Sequence, residues 1–287
     1  MSSSKILKKI KYAMRIIPDR AYIQMYYFAH FKKFCNLKNP KTYNEKLNWL
    51  KLHDKNPIYT RIVDKFEAKE YVKNIIGDQY IIPTLGVWDN FDDIDFDKLP
   101  QQFVLKCTHD SEGLVIVKDK DKLDKEMAKN FFYIGREWPY KNVKPRIIAE
   151  KYMEDHIDGE LRDYKFFCFD GEPKAMFVAS DRASDNVKFD YFDLNFNHLD
   201  IKQKYPHAEQ PLRKPVTFEK MIELSKVLSK GFPHVRVDFY EVDGQLYFGE
   251  LTFYHFSGFM PFEPNKWDKI FGDWIKLPQW GIAYGFE

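Results

Sequence analysis

The chain has 287 residues, and its 45 Lys and Arg residues nearly balance its 43 Asp and Glu residues, leaving a formal net charge of +2. This balance argues against a strongly basic nucleic-acid-binding protein, and contents of 44% hydrophobic and 17% aromatic residues argue against a disordered chain. Because no apolar run approaches the ~20 residues needed to span a bilayer, and the three cysteines form no CxxC pair, we expect a globular, cytoplasmic protein in a reducing compartment.

A basic amphipathic helix is predicted at the N-terminus. The apolar residues of Met1–Arg15 recur at helical spacing between lysines, without the continuous apolar stretch of a signal peptide. Two interpretations stay open. The helix docks on the body of the protein with its lysines outward, or it makes a peripheral contact with the anionic inner face of the membrane.

The first 75 residues are predicted to be mainly helical. Thr42, followed three residues later by Glu45, fits a capping box that opens a helix. A second helix is predicted over Tyr59–Ile75, where apolar residues recur at helical spacing, and Gly77 would end it.

From residue 80 onward, short β-rich runs alternate with a few helices. The predicted strands are Tyr80–Pro83, Phe103–Lys106, Leu114–Val117, Arg146–Met153, Tyr164–Phe169, Lys174–Ala179, Val235–Val242 and Gln245–Phe253. The predicted helices are Lys125–Arg136 and Phe218–Leu228. Because there is no regular βαβ repeat, the pattern favours an α+β architecture.

Several common catalytic motifs are absent. The chain has no GxxxxGK[ST] phosphate loop, no GxGxxG after a first strand, no HExxH and no GxSxG. Its eight histidines are scattered without the spacing of metal ligands, and no cysteine has an evident base partner. A glycosyltransferase would need a DxD-type metal motif. Asp190-Tyr191-Phe192-Asp193 does not supply one, and Asp93-Ile94-Asp95 lies in a predicted loop.

The most informative stretch is a predicted hairpin with acidic residues on both strands. A strict two-residue loop at Asp243-Gly244 would place Asp238 opposite Gly249 and send Glu250 to the far face. One extra residue, as in a glycine-containing bulge, would bring Glu250 opposite Asp238 instead. Two facing carboxylates repel and need a cation, and Mg²⁺ prefers such oxygen ligands. The alternative is a solvated face with scattered charge.

Three further segments carry weaker signals. Lys106 ends an apolar strand and precedes the polar loop 107–113, which suits either a phosphate cradle or an exposed turn. Glu150 ends a buried-looking strand, and Asp163 and Lys165 share one face of another. Read singly, each segment also fits a half-exposed strand.

Taken in order, these segments resemble the ATP-grasp fold and, more closely, the TupA-like ATP-grasp family, amide ligases of bacterial cell-surface polysaccharide biosynthesis. The resemblance covers about residues 35–280. Its matching segments are Asn39–Leu47, Asp64-Lys65, Phe103–Lys106, Asp163–Gly171, Arg236–Tyr240, Gly249–Phe253, Pro261–Trp267, Gly272-Asp273 and Leu277-Pro278.

The resemblance implies an ATP site. Lys65 and Lys106 would reach the phosphates from two sides, and the loop around Ser111 and Gly113 would close over them, with Lys165 nearby. Asp163 would accept hydrogen bonds from the ribose hydroxyls. The hinge whose backbone reads the adenine edge would consist of Glu150, Lys151, Tyr152 and Met153.

The resemblance also implies a metal and acceptor site. Asp238 and Glu250 would hold Mg²⁺, with Thr252 as third ligand where ATP-grasp enzymes usually have asparagine. Arg236, together with Lys106, would neutralise the phosphoryl group in transfer. Ser257 and Gly258 would border the acceptor substrate.

The implied activity is ATP-dependent ligation of an amine or amino acid to a sugar carboxylate, such as a uronic acid or amino sugar of a capsule or exopolysaccharide, through an acyl phosphate. Two alternatives stay open, a sugar or glycan kinase and a non-catalytic nucleotide-binding scaffold. No nucleic-acid partner is expected. The expected division is a helical region over 1–78, an ATP-grasp subdomain over 79–160 that contains Lys106, and a C-terminal subdomain over 161–287 with the metal-binding hairpin.

Overall fold

The computed structural model describes residues 16–109, 114–124, 137–182, 184 and 186–278. The helices predicted at Met1–Arg15 and Lys125–Arg136 lie outside the described residues, so the membrane contact proposed for the first of them stays a prediction. The described residues divide into two compact units, one within the ranges 1–55 and 254–287 and the other within 56–253.

Helices and strands are numbered in chain order. The α-helices are α1 (Asp19–Phe31), α2 (Tyr43–His53), α3 (Ile58–Val63), α4 (Lys65–Ile76), α5 (Trp138–Lys141), α6 (Phe218–Ser229) and α7 (Lys266–Trp274). The strands are β1 (Thr84–Trp88), β2 (Phe103–Cys107), β3 (Leu114–Val117), β4 (Ile147–Lys151), β5 (Asp163–Phe169), β6 (Glu172–Ser180), β7 (Lys188–Phe192), β8 (His234–Val242) and β9 (Gln245–Thr252). Single 3₁₀ turns include Asp78–Tyr80 and His255–Gly258.

The capping box predicted at the start of α2 is confirmed. The Thr42 side chain accepts a hydrogen bond from the Glu45 backbone N–H, and the Glu45 carboxylate accepts one from the Thr42 backbone N–H. These reciprocal bonds satisfy donors that the helix start leaves without partners.

The single helix predicted over Tyr59–Ile75 is wrong, because the chain forms α3 and α4 with Asp64 between them. Asp64 has an extended backbone, with ψ of 116°, and its side chain accepts hydrogen bonds from the N–H groups of Phe66 and Glu67. An aspartate that caps the following helix ends the preceding one, and periodicity alone does not reveal this.

The strand predicted at Tyr80–Pro83 is also wrong. Tyr80 ends a 3₁₀ turn, Ile81 forms one isolated parallel bridge with Phe248, and β1 begins only at Thr84. Pro83 has no N–H to donate to a neighbouring strand, which favours a strand that starts after it. The other predicted strands lie within a few residues of their observed bounds, while β1, β7, α5 and α7 were not predicted.

Both sheets lie in the unit of residues 56–253. The smaller is antiparallel with strand order β1-β4-β2-β3, and the larger is antiparallel with order β7-β6-β5-β8-β9. Every residue of β5 is buried, because the strand is central and α6 covers one of its faces, where the Phe218 and Phe166 rings lie 5.9 Å apart.

Two antiparallel sheets with interspersed helices confirm the predicted α+β class. The two sheets lie on either side of residue 160, while the three-part division at residues 78 and 160 remains a prediction. Among the described residues, no helix has both the length and the apolar character that crossing a bilayer requires.

Candidate active site

The hairpin of β8 and β9 places two acidic residues directly opposite each other. Asp243 and Gly244 form a two-residue turn with φ of 50° and 79°, and Asp238 pairs with Glu250 across the strands. The register shifts by one residue next to Asp238, because Gly249 is an extra residue in β9. Of the two registers left open by the sequence, the structure therefore has the bulged one.

Glycine at position 249 allows the two strands to approach closely at the bulge. A Cβ atom there would lie 3.0 Å from the carbonyl oxygen of Asp238 and 3.2 Å from the ring of Tyr240. These distances are tight for any larger residue, so the absence of a side chain helps set the register that brings Glu250 to Asp238.

Arg236 bridges the two acids on the same face of the sheet. Its Nε lies 2.7 Å from Asp238 Oδ1, and its Nη2 lies 2.6 Å from Asp238 Oδ2 and 3.0 Å from Glu250 Oε1. The same Nη2 donates to the Thr252 hydroxyl at 3.0 Å, and that hydroxyl donates to Glu250 Oε1 at 3.1 Å. The guanidinium thus supplies the positive charge that two facing carboxylates need.

Lys165 brings a second positive charge to the same acids. Its Nζ lies 2.5 Å from Asp238 Oδ2 and 3.3 Å from Asp163 Oδ1, and Arg182 also pairs with Asp163. Burial lowers the pKa of Lys165, and the charge of Asp238 only partly offsets this effect. Asp163 and Asp238 are themselves almost fully buried, so this is an interior charge network rather than a surface one.

Glu250 remains ionised at neutral pH although it lies beside other acids. The partial loss of water around its carboxylate would raise its pKa, but the charges of Lys165, Arg236 and Lys65 outweigh this effect and lower the pKa to about 2. Its side chain is 46% exposed, so it faces solvent as a charged oxygen donor.

The donor set at this face fits a divalent cation of the Mg²⁺ type. Asp238, Glu250 and Thr252 offer carboxylate and hydroxyl oxygens, which are the ligands of hard cations. Arg236 now neutralises these oxygens, so a metal would compete with the guanidinium for the same acceptors.

A second buried charge cluster lies in the four-stranded sheet. Lys106 Nζ lies 2.5 Å from Glu150 Oε2, and Lys69 pairs with the other oxygen of the same carboxylate. Lys69 also donates to Ile82 O at 2.8 Å and to Thr84 Oγ1 at 3.1 Å. Burial raises the pKa of Glu150, but the two lysines outweigh it and lower the pKa to about 2.

Sequence reasoning missed Lys69 as a site residue. It lies one turn after Lys65 on α4, and residues four apart share a face of a helix. The four-residue spacing of Lys65 and Lys69 therefore indicated that the two lysines lie on the same face of the helix. Lys65 itself donates to the carbonyl oxygen of Cys107 at 3.1 Å, next to the start of the predicted phosphate loop.

An open cleft lies beside the hairpin. It is lined by Ile62, Val63, Lys65, Ala68, Tyr140, Gly249, Glu250 and Leu251. The cleft therefore brings together the predicted phosphate-binding Lys65 and the predicted metal ligand Glu250.

The remaining predicted site residues are less closely grouped. Lys151 is exposed at the end of β4, and Tyr152 and Met153 are half-buried in the segment that follows it. The predicted roles of these residues in nucleotide binding stay predictions. Ser111 and Gly113 lie outside the described residues, and Ser257 and Gly258 lie in the 3₁₀ turn of the other unit.

The sequence model of the TupA-like ATPgrasp family matches residues 45–276 of the chain. No curated protein matches the sequence.

Solved structures with a similar fold include the D-alanine–D-alanine ligase of Helicobacter pylori, at 17% identity over 81% of this chain and 67% of that chain, with a TM-score of 0.45. The Bacillus anthracis D-alanine–D-alanine ligase is 21% identical over 67% of this chain and 57% of that chain, with a TM-score of 0.43. The RimK domain protein ATP-grasp of Sphaerobacter thermophilus is 11% identical over 76% of this chain and 69% of that chain, with a TM-score of 0.43. The chain spans little more than half the length of the Bacillus anthracis enzyme.

Proposed function

The chain belongs to the TupA-like ATP-grasp family, and on this basis we propose that it is an ATP-dependent carboxylate–amine ligase. The observation that carries the proposal is the convergence of Asp238 and Glu250 on one face of the hairpin, with Arg236 and Lys165 beside them. The two carboxylates suit a divalent cation, and the two positive side chains suit the anionic phosphates that this cation would accompany.

The reaction has two steps. A substrate carboxylate oxygen attacks the γ-phosphorus of ATP, which forms an acyl phosphate and releases ADP. The nitrogen of an amine then attacks the acyl carbon, the C–O bond to phosphate breaks, and inorganic phosphate leaves as the amine loses a proton. The products are an amide, ADP and phosphate.

The chain's own residues contribute position and charge. Arg236 and Lys165 can stabilise the negative charge that spreads over the γ-phosphoryl oxygens during transfer. Lys65, which lines the cleft beside Glu250, can also bind phosphate oxygens. Lys106 can join it once its ammonium group leaves Glu150, whose charge Lys69 would continue to balance.

Mg²⁺ held by Asp238, Glu250 and Thr252 would neutralise the phosphate oxygens and orient them for attack. Thr252 would be the weakest of these ligands, because its side chain is shorter than that of asparagine. Its hydroxyl also already contacts Arg236 and Glu250.

The acceptor pair proposed from the family is an amino acid or amine and a uronic acid or amino sugar of a capsule or exopolysaccharide precursor. Ser257 and Gly258 are proposed to border this acceptor. The substrate identities rest on the family resemblance, so they need a direct test.

The test is ADP release measured against a panel of amino acids and uronic-acid sugars. The proposed ligase releases one phosphate for each ADP and forms an amide. If the acceptor became phosphorylated and no free phosphate appeared, the protein would be a sugar kinase that uses the same site. Binding of Mg·ATP without turnover on any acceptor pair would favour a non-catalytic nucleotide-binding scaffold.

A further inference from the structure

Three metal-ligating side chains meet at the outer strand of the five-stranded sheet. Asp190 lies in β7, and His198 and His207 lie in the segment that follows it. One ligand atom from each residue lies within 4.8 Å of the other two. His198 Nε2 is 3.1 Å from Asp190 Oδ1, and His207 Nδ1 is 3.5 Å from the same oxygen.

These two distances suit ligands of one tetrahedral metal ion. Zinc binds nitrogen and carboxylate oxygen at about 2.0–2.2 Å, and tetrahedral angles then separate two ligands by about 3.3 Å. The observed 3.1 and 3.5 Å lie on either side of this value. His207 Nδ1 also lies 3.0 Å from Phe189 O, a contact that metal binding would replace.

The carboxylate is fixed in a position to offer a single oxygen. The Asp190 side chain is only 5% exposed, and its Oδ2 accepts a hydrogen bond from the Ala208 N–H at 3.0 Å. A backbone donor on one oxygen leaves Oδ1 as the metal ligand, which is how neighbouring groups commonly orient a ligating carboxylate.

The segment that carries the two histidines is also held against β7. The Leu199 N–H donates to Tyr191 O at 2.8 Å, and the Phe189 N–H donates to Pro206 O at 2.9 Å. The positions of the three ligands are therefore set by backbone bonds on both sides of the cluster. Both histidine side chains are partly exposed, at 46% and 34%, so an ion can enter from solvent.

The cluster is separate from the ATP site. Asp190 pairs with Val178, Val178 with Tyr164, and Tyr164 with Phe239. Paired residues share a face, and Phe239 is the neighbour of Asp238 along β8, so the two sites use opposite faces of the sheet. Three strand spacings, about 14 Å, also separate them.

We propose that Asp190, His198 and His207 bind one divalent transition-metal ion, with zinc as the expected ion. Two imidazole nitrogens and one carboxylate oxygen are ligands of intermediate softness, which suit zinc better than magnesium. Water would complete the coordination. The ion would join the segment after β7 to this outer strand and so stabilise the covered edge of the sheet.

The test is calorimetric titration of the full chain with Zn²⁺ in excess Mg²⁺, compared with His198→Ala. A matched control is His156→Ala, because His156 is an exposed histidine that contacts only one carboxylate, Asp243 at 2.9 Å, in the described structure. We expect one zinc ion per chain in the unaltered protein and in His156→Ala, and at least ~10-fold weaker binding in His198→Ala.

Cobalt gives a second readout that does not depend on any variant. Co²⁺ added to the unaltered protein should produce the visible absorption of a tetrahedral site and should be displaced by Zn²⁺. Absence of this absorption, or equal zinc affinity in His198→Ala and the unaltered protein, would overturn the proposal. Either result leaves the ligase proposal untouched, because the two sites share no residue.

Discussion

Asp238 and Glu250 face each other across β8 and β9, and one guanidinium, that of Arg236, contacts both. This arginine supplies the positive charge that two opposed carboxylates require. In the proposed ligase, a divalent cation bound with ATP would compete with Arg236 for these carboxylate oxygens.

Replacing Arg236 with glutamine should destabilise the protein by about 1–3 kcal/mol, because Asp238 and Glu250 lose a charged partner. Added Mg²⁺ should restore part of this loss by occupying the vacated position. Urea unfolding with and without Mg²⁺ measures both effects. The control is Arg213→Gln, since Arg213 pairs with Asp158 and Glu241 instead. If Mg²⁺ changed the stability of the two variants equally, the proposed metal position beside Asp238 and Glu250 would be contradicted.

Gly249→Ala should disturb the bulge that brings Glu250 to Asp238. The new Cβ would press on the Asp238 carbonyl and the Tyr240 ring, which should cost about 1–3 kcal/mol of stability. Metal affinity should fall as well, because Glu250 moves with its backbone. Thermal unfolding and Mn²⁺ titration test these two effects. Unchanged stability together with unchanged affinity would show that the close approach at position 249 does not matter.

The Glu150 cluster predicts acid sensitivity. Its pKa of about 2 in the folded state lies below the ordinary value of 4.5, so its stabilising effect is complete above pH 4.5 and is lost as the pH falls toward 2. The cost of charging buried Lys69, whose pKa burial lowers, offsets part of this gain.

Glu150→Gln is expected to be less stable at neutral pH, because it leaves Lys69 buried beside an uncharged partner. The variant should also lose less stability than the unaltered protein between pH 4.5 and pH 3. Urea unfolding at several pH values gives the comparison. If the free energy of unfolding fell equally with pH in the two proteins, Glu150 would be ruled out as a source of the acid sensitivity.

Lys106→Met should weaken ATP binding by ~10-fold or more, because it removes a point charge expected to reach the phosphates. Fluorescence or calorimetric titration with ATP measures the change. Lys122→Met is the control, since Lys122 is exposed and pairs only locally with Asp119. Similar ATP affinity in the two variants would remove Lys106 from the proposed nucleotide site.

Local chemistry made much of the fold predictable from sequence. The Thr42–Glu45 capping box and the Asp243-Gly244 turn are encoded by adjacent residues, and both are present in the structure. The break at Asp64 was missed, because the helical spacing of apolar residues continues across it and does not show that its side chain caps the following helix.

The site was less accessible to sequence reasoning, because it depends on pairing between distant strands. Alternation along β8 and β9 identified the acidic faces, but the bulge at Gly249 decides whether they coincide. The cluster of Asp190, His198 and His207 was hidden for the same reason, since the return of the segment after β7 has no signature in residue spacing.

In the proposed ligase, Asp238 and Glu250 together hold the metal of a nucleotide complex. Electron paramagnetic resonance of Mn²⁺ with ADP tests it most directly, using the unaltered protein, Asp238→Asn, Glu250→Gln and the exposed control Glu172→Gln. We predict that Mn²⁺ binds with ADP to the unaltered protein and to Glu172→Gln, and that binding is at least ~10-fold weaker in each of the other two variants. Equal Mn²⁺ binding in all four proteins would contradict the account.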